Sequence, residues 1–418
     1  ILSGYYNRDD MDLGLKNLII DRQNQGYLKA RIVSTRAVYN EQKDKITFLI
    51  SFEEGPLTIL EEIRFEGLVA FESKQLLPLI GLPLPNLQIE SALKLNQLEE
   101  SVSKLREFYR NQGFLEMTLL NEKQDLVSYN EDNTKAKVLY RVYEGPKIVV
   151  GSIVIEGNSL TKDKVVLKEL DFKQGDTLTP QKLEESIGRL QKLGHFSSIQ
   201  IKTLEERTQI SNRTVIVKVT DRDPGLFNFG FGLNNERTLT LRGYTGIAYR
   251  NIRGTGRGVS ARVDANYNVA DVKYLENKMT LGYLEPYLFD SRMRGRISQT
   301  RSRQVSDFEK EIISEINQTT WTVEEDITSH ILLSYDLYSL ATVKEFQRYG
   351  NENIFPASNQ NIGTMGPTLD LDFRDHPFNP TKGSFTRFNV EYSAPWLGSN
   401  ATIEYVKYYT SFSHYYPI

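Results

Sequence analysis

The chain contains no cysteine. Disulfides, thiolate nucleophiles and cysteine-ligated metals are therefore excluded, and a cysteine-free chain suits an oxidising compartment where stray thiols are a liability. Long apolar runs are missing too. The nearest, LLPLIGLPLP at residues 76–85, is well short of the roughly 18 residues of a membrane helix and carries three prolines. Charge of either sign is not in excess: 51 basic against 54 acidic residues give a formal net charge of -3. No nucleic-acid partner is implied, because phosphate binding usually needs a basic surplus. Histidine is scarce, and His195, His330, His376 and His414 lie scattered without metal-ligand spacing. There is no Gly-x-Ser-x-Gly elbow. RGTGRGVS at 253–260 lacks the Lys-Ser/Thr ending of a phosphate loop and sits between strand patterns. Neither a catalytic residue, a cofactor nor a metal is expected.

What the chain does have is a repeat. EEGPLTILEEIRFEGLV at 53–69 returns as YEGPKIVVGSIVIEGNS at 143–159, with Gly55 and Gly67 answered by Gly145 and Gly157. Gly26, Gly113 and Gly194 each follow a helical pattern and precede a strand pattern, the place of a helix C-terminal glycine. Apolar stripes at helical spacing precede them: Met11, Leu15 and Leu18; Leu98, Val102, Leu105 and Tyr109; Leu183, Ile187, Leu190 and Leu193. Thr179 and Pro180 suit the start of the last helix. Two strand-like runs follow each helix, and a further strand opens each complete unit. The order is strand, helix, helix, strand, strand, and the quoted junction is the boundary between units.

Beyond residue 225 the period becomes two. LFNFGFGLN sets Phe227, Phe229, Phe231 and Leu233 on one face and Asn228, Gly230, Gly232 and Asn234 on the other. GVSARVDANYNVA at 258–270 alternates without a slip, TLTLRGYTGIAYR at 238–250 alternates less cleanly, and further runs occupy 278–287, 330–340, 367–375, 384–393 and 401–412. Alternation describes either a one-sided sheet in water or a barrel with lipid outside and a polar lumen. Strands of about ten residues, aromatics crowding run ends, and Arg262 with Asp264 on the polar face favour the barrel. At that length the segment holds roughly eight or nine strands.

The unit order, the Glu-Gly-Pro exits and the Glu-Gly entries resemble POTRA domains. YRNIRGTGRGVS, LGYLEPYLFD and LDFRDHPFNPTKGSFTRFNVEYS resemble, in order, three motifs of the outer-membrane barrel insertases that carry them, the BamA- and TamA-like bacterial surface antigens. In the second barrel strand, LRGY at 241–244 imitates a later loop motif by chance. The resemblance implies α+β POTRA repeats (β-α-α-β-β) followed by part of an antiparallel transmembrane β-barrel. Its divisions are an incomplete POTRA at 1–56, POTRA units at 57–146 and 147–225, and the N-terminal half of a barrel at 226–418. The absence of an initiator methionine or leader before Ile1 suggests a processed chain or a piece of a longer one.

The function implied is insertion of unfolded β-barrel proteins into the bacterial outer membrane, with the POTRA units in the periplasm. Unfolded outer-membrane proteins, membrane lipid, and accessory lipoproteins or periplasmic subunits are the partners implied. Exposed sheet edges would do the work by strand addition. One such edge is the barrel seam strand: Phe227, Phe229, Gly230, Phe231, Gly232 and Leu233. The glycines either weaken pairing there or make room for a bulky neighbour. The others are the second strands of the POTRA units, at 27–33 (Tyr27, Ala30, Ile32), 114–120 (Phe114, Met117, Leu119) and 196–204 (Phe196, Ile199, Ile201). Gly254, Gly256, Pro286, Arg374, Asp375, Pro377, Pro380 and Gly383 mark barrel turns. Asp370, Asp372 and Asp375 read as a lumen or rim charge cluster before a calcium site, given Arg374 among them. Alternatives are an exporter of the two-partner-secretion type, a complete eight-stranded barrel, and a soluble β-sandwich scaffold or adhesin.

Overall fold

The structure, a computed structural model, describes residues 7–42, 45–82, 92–122, 124–235, 239–269, 273–348, 358–376 and 379–417. The chain falls into two compact units. One comprises Ile1–Val154, Leu170–Ile187 and Ile201–Val217; the other comprises Ile155–Glu169, Gly188–Gln200 and Lys218–Ile418.

In the first unit, α1 (Arg8–Asn24) begins where the Asn7 side chain accepts the Asp9 amide, satisfying one of the orphan donors of a helix start. The antiparallel hairpin β1 (Arg31–Tyr39) and β2 (Ile46–Glu53) follows. The next repeat is better packed. It runs β3 (Ile59–Glu66), α2 (Ser73–Leu76), α3 (Leu95–Asn111), β4 (Thr118–Leu119), β5 (Val127–Tyr129) and β6 (Lys135–Tyr143). β3 pairs parallel to β6, while β4 and β5 pair antiparallel to it. The stripe Leu98, Val102, Leu105 and Tyr109 is buried in one core with Val138, Tyr140 and Val142. Each large side chain so buried stabilises the fold by about 1.5–3 kcal/mol, far more than the helix's intrinsic propensity. The polar tip of Tyr109 is not wasted: its hydroxyl donates to Glu144 Oε1 at 2.7 Å.

The last repeat is β7 (Val149–Glu156), α4 (Asp163–Glu169), α5 (Pro180–Leu193), β8 (Phe196–Thr203) and β9 (Asn212–Asp221), with sheet order β7-β9-β8. Leu190 is fully buried, and Leu183, Ile187 and Leu193 are half-buried. Its β9 carries Arg213, fully buried, whose guanidinium forks onto Glu116 of the preceding repeat. Nη1 donates to Oε1 at 2.6 Å and Nη2 to Oε2 at 3.0 Å, and Arg213 Nε donates to the Ile210 carbonyl.

The duplicated junction has a steric origin. Gly67 and Gly157 both hold left-handed φ, +82° and +84°. A Cβ on either would collide with a carbonyl oxygen of its own unit's last strand, that of Val142 or Val219. Only glycine meets both demands.

Among the described residues the second unit carries a sheet of ten antiparallel strands in chain order: β10 (Gly225–Asn234), β11 (Thr240–Tyr249), β12 (Gly258–Asn268), β13 (Leu275–Glu285), β14 (Arg294–Asp307), β15 (Ile312–Thr328), β16 (Ile331–Gln347), β17 (Ser358–Asp372), β18 (Gly383–Ser393) and β19 (Tyr405–Tyr415). The expectation of eight or nine strands is therefore corrected to ten. The two extra strands are β14 and β15, whose apolar alternation is broken by Gln299, Arg301 and Arg303 facing Thr319, Asn317 and Glu315. These make cross-strand bonds, with Arg301 and Arg303 both on Glu315 at 2.6 Å and 3.1 Å. No helix among the described residues is long and apolar enough to cross a membrane.

Candidate functional site

β10 is an outer strand of the ten-stranded sheet and, among the described residues, pairs only with β11. Its alternation sorts side chains as expected. Phe227, Phe229, Phe231 and Leu233 form an outward row, with Phe231 87% and Leu233 74% exposed. The row continues across the register through Leu241, Ile247, Val259, Val263 and Met279, all exposed. A soluble sheet would cover such a surface; a barrel turns it to lipid. The other face is polar. It lines a cleft of about 900 Å³ that includes Arg242, Tyr244, Arg262, Asp264 and Lys278.

The two glycines of β10 differ. A Cβ at Gly230 would lie 2.5 Å from the Tyr244 ring directly across the register, whereas nothing lies within 4 Å of one at Gly232. Gly230 thus makes room for a ring, and the Arg262 guanidinium stacks 4.4 Å from that ring's centre while Nη2 donates to Asp264 at 2.7 Å.

The POTRA edges depart from expectation. Of Tyr27, Ala30 and Ile32, only Ile32 lies in a strand, because the chain turns through Tyr27 and Ala30 before β1 starts at Arg31. In the middle repeat Phe114 and Met117 belong to a turn, and β4 is two residues long. Phe114, Met117 and Leu119 are core residues, buried among the α3 stripe. Burial of their side chains overrides the strand pattern. β8 is a full edge strand: among the described residues it pairs with β9 alone, with Phe196 buried and Ile199 and Ile201 half-buried, and β1 likewise pairs with β2 alone.

Three of the turn residues converge at the foot of the sheet, against the portion of the last repeat that shares their unit. Gly254 has φ +73°, and a Cβ there would sit 2.5 Å from the Leu160 carbonyl oxygen. Its own carbonyl accepts the Lys162 amide at 3.0 Å. Gly256 lies against Pro286 and the His195 ring. Between them runs a buried chain of hydrogen bonds that the sequence reading missed: Thr161 Oγ1 donates to Asp221 Oδ1 at 2.6 Å, Asn251 Nδ2 donates to Thr161 Oγ1 at 2.7 Å, and the Gly256 amide donates to Asn251 Oδ1 at 2.8 Å. Asn251 adopts φ +64°, a conformation asparagine tolerates better than most residues. Its place at the head of Asn-x-x-Gly-Thr-Gly was the available signal.

A second set of contacts lies beside the first. Tyr287 Oη donates to Glu169 Oε1 at 2.7 Å, Arg292 Nε donates to the Lys168 carbonyl at 2.9 Å, and Asp290 takes ion pairs from Lys164 and Lys168. Burial raises the Glu169 carboxyl above its ordinary value of 4.5, against the pull of Tyr287 and nearby arginines. Phe289 and Asp290 both hold positive φ, strained for such residues and retained by these contacts. Nothing in a one-dimensional pattern distinguishes Lys168 or Glu169 from any helix-face charge.

The third motif forms a separate hairpin between β17 and β18. Asp375 accepts the Thr381 and Lys382 amides at 2.9 Å and 3.2 Å, which, with the Thr381 hydroxyl, hold its carboxyl well below the usual range. Gly383 has φ +102°, and a Cβ would strike the Phe373 carbonyl. Pro380 lies in this turn, while Pro377 falls outside the described residues. Asp370 pairs with Arg387 at 2.6 Å and Asp372 with Arg374 at 2.6 Å, so the three aspartates do not converge. Among the described residues no group of three or more His, Asp or Glu could hold a metal.

Residues 58–145 and 148–222 match the POTRA family, a surface antigen variable number repeat, and residues 251–418 match the Omp85 superfamily domain. The chain is 23% identical over 402 residues to the outer membrane protein assembly factor BamA of Nitratidesulfovibrio vulgaris, covering 94% of this chain and 47% of that one. With the same factor of Neisseria meningitidis serogroup B it shares 22% over 293 residues, 67% of this chain and 35% of the other. It thus spans about half or less of these relatives' length. Its fold is similar to that of BamA from Haemophilus ducreyi lacking POTRA domains 1-3, with TM-score 0.60 at 16% identity over 85% of this chain and 66% of that one. The chain belongs to the Omp85 superfamily, with periplasmic POTRA repeats leading into part of an outer-membrane β-barrel.

Proposed function

We propose that the protein is an outer-membrane assembly factor that receives unfolded β-barrel chains on POTRA edges and inserts them by strand addition at β10. The observation that carries this is β10 itself: the first strand of the sheet, with an outward row of phenylalanines and two glycines on its polar face. Where the seam opens beside β10, its N–H and C=O groups on the side away from β11 would template another strand, and each new pair satisfies groups that would otherwise face hydrocarbon unpaired. Apolar substrate side chains would extend the outward row, and no catalytic step or cofactor is needed. β8 offers a second edge for an extended chain before insertion. Unfolded outer-membrane proteins and lipid are the partners, with accessory lipoproteins or periplasmic subunits placed on the POTRA units.

Because the chain has no cysteine, single cysteines at Asn228, Gly230 or Gly232 are unique reporters. During assembly in native membranes, each should form a disulfide with one position of a substrate's terminal strand, advancing two substrate residues for every two along β10. Crosslinks without register, or crosslinks to lumen positions such as Tyr244 from an extended secreted chain, would replace insertion with the exporter reading.

A further inference from the structure

The outward face of β14–β16 changes character along its length. One register row holds Tyr283, Ile297, Trp321 and Tyr338, apolar and aromatic, with Trp321 51% exposed. Further from the foot, on the same parity, another row holds Asn277, Arg303, Glu315, Lys344 and Asn359, polar across five strands. β15 and β16 are 17 residues each. About ten residues cross a bilayer at a tilt, so part of each strand stands beyond the hydrocarbon. Aromatic rows mark that boundary. β10 starts at the foot directly after the periplasmic repeats, so the polar row, at the other end, meets the outer leaflet.

Charge there does not balance. Glu315 takes two guanidiniums: Arg301 Nη2 donates to Oε1 at 2.6 Å and Arg303 Nε donates to Oε2 at 3.1 Å. Lys344 stands opposite Glu315 in the register and forms no ion pair among the described residues. Three cations thus share one carboxylate. Glu315 lies beneath, its side chain 18% exposed, while those of Arg301 and Arg303 are 61% and 41% exposed. Neighbouring neutral groups are already matched, since Gln299 donates to Asn317 and accepts from Thr319. Beyond the charged row, Val305 and Ile313 are buried with Phe308 and Phe346 packed against them, which closes that side. The open approach is along Ile297 and Trp321, both exposed. Guanidinium forks match phosphate oxygens, and the apolar face below them suits acyl chains. A free anion would use only the first feature; a phosphorylated lipid uses both. We propose that Arg301, Arg303 and Lys344 hold the phosphorylated headgroup of an outer-leaflet lipid, with its chains laid along Ile297 and Trp321. This rests on the sheet spanning the outer membrane and is independent of strand addition at β10.

The test uses the full-length protein in non-ionic detergent micelles, with bound lipid counted by native mass spectrometry. The probes are an acylated disaccharide bearing two phosphates, the same lipid after phosphatase treatment, and inorganic phosphate. The phosphorylated lipid should be retained about tenfold more tightly than its dephosphorylated form, the scale of one charge-assisted contact. Inorganic phosphate at equal concentration should not displace it. Replacing all three cations, Arg301→Gln with Arg303→Gln and Lys344→Gln, should erase the difference between the two lipids. Replacing two cations of the lumen cleft, Arg242→Gln with Lys278→Gln, should leave it intact. Equal retention of the two lipids by the unsubstituted protein, or retention of neither, would overturn the proposal. Displacement by inorganic phosphate would make this a site for free anions and overturn it as well. An equal loss from the lumen substitutions would reduce the effect to general charge attraction, with the same consequence. The unsubstituted comparison decides the matter even if the triple variant does not fold.

Discussion

Arg213 and Glu116 show how one pair of residues can join two repeats. A guanidinium with no exposure is stable only while its carboxylate is present, because a buried charge without its partner retains the whole desolvation cost. Glu116→Gln should therefore destabilise the junction by about 3 kcal/mol, read as a lower unfolding midpoint of the periplasmic repeats. Hydrogen bonds from Arg213 hold the Glu116 carboxyl below its ordinary 4.5, so its contribution is present above that value and is lost as pH falls through the lowered one. An acid titration should accordingly loosen the wild-type junction below about pH 4.5 and leave the glutamine variant flat there. The two β10 glycines offer a sharper contrast. Gly230→Ala should cost about 1 kcal/mol, because the methyl must displace the Tyr244 ring from Arg262. Gly232→Ala, with open space, should firm the strand by roughly 0.5 kcal/mol. Amide exchange along β11 measures both, and equal effects would refute the assignment of different roles.

Among elements, the strands show where pattern fails. Eight runs in the second half alternate visibly because their outward residues meet an apolar medium. β14 and β15 replace that signal with Gln299–Asn317 and Arg301–Glu315 pairs on the outward parity, whose polar groups are satisfied by each other across the strands, so the apolar alternation is lost from the sequence. The helices were legible from their stripes, since Leu105 and Tyr109 are buried where the period places them. β4 was not, for Phe114 and Met117 sink into the core through a turn. α4 carries a titratable contact of its own in Glu169. Its carboxyl is raised by burial, so the stability it lends is present below 4.5 and lost as pH rises through the raised value. Exchange protection of α4 should thus fall as pH rises from 4.5 through that raised value. Glu169→Gln, which keeps a Tyr287 acceptor and cannot ionise, should abolish that slope; an unchanged slope would point to another group.

On the scale of the whole molecule, the family's motif turns act as fittings. Gly254, Gly256 and Pro286 bring the foot of the sheet against Leu160, Thr161 and His195, and the Asp221–Thr161–Asn251 bonds seal the contact. Combining Asn251→Ala with Tyr287→Phe removes one donor from each set of contacts and leaves the Gly256 amide and Glu169 without their side-chain partners. A loss of about 2–4 kcal/mol is expected from two such deletions. The segment at 158–163 should become open to protease and exchange, while the sheet keeps its resistance to detergent denaturation. If both regions loosen together, the contacts hold up the sheet itself and not its attachment.

The sequence alone determined the periodicities: 3.6 in the repeats, two beyond residue 225, and glycine wherever a turn leaves the right-handed half of backbone space. Those are local consequences of burial on one face and of backbone sterics, so a single chain displays them. Tertiary structure alone decided that Gly67 and Gly157 answer to a carbonyl far along the chain, that Arg213 forks onto Glu116, and that Asn251 faces Thr161. Such pairings depend on which surfaces the folded chain brings within hydrogen-bond distance, and residues so joined need share no interval in the sequence.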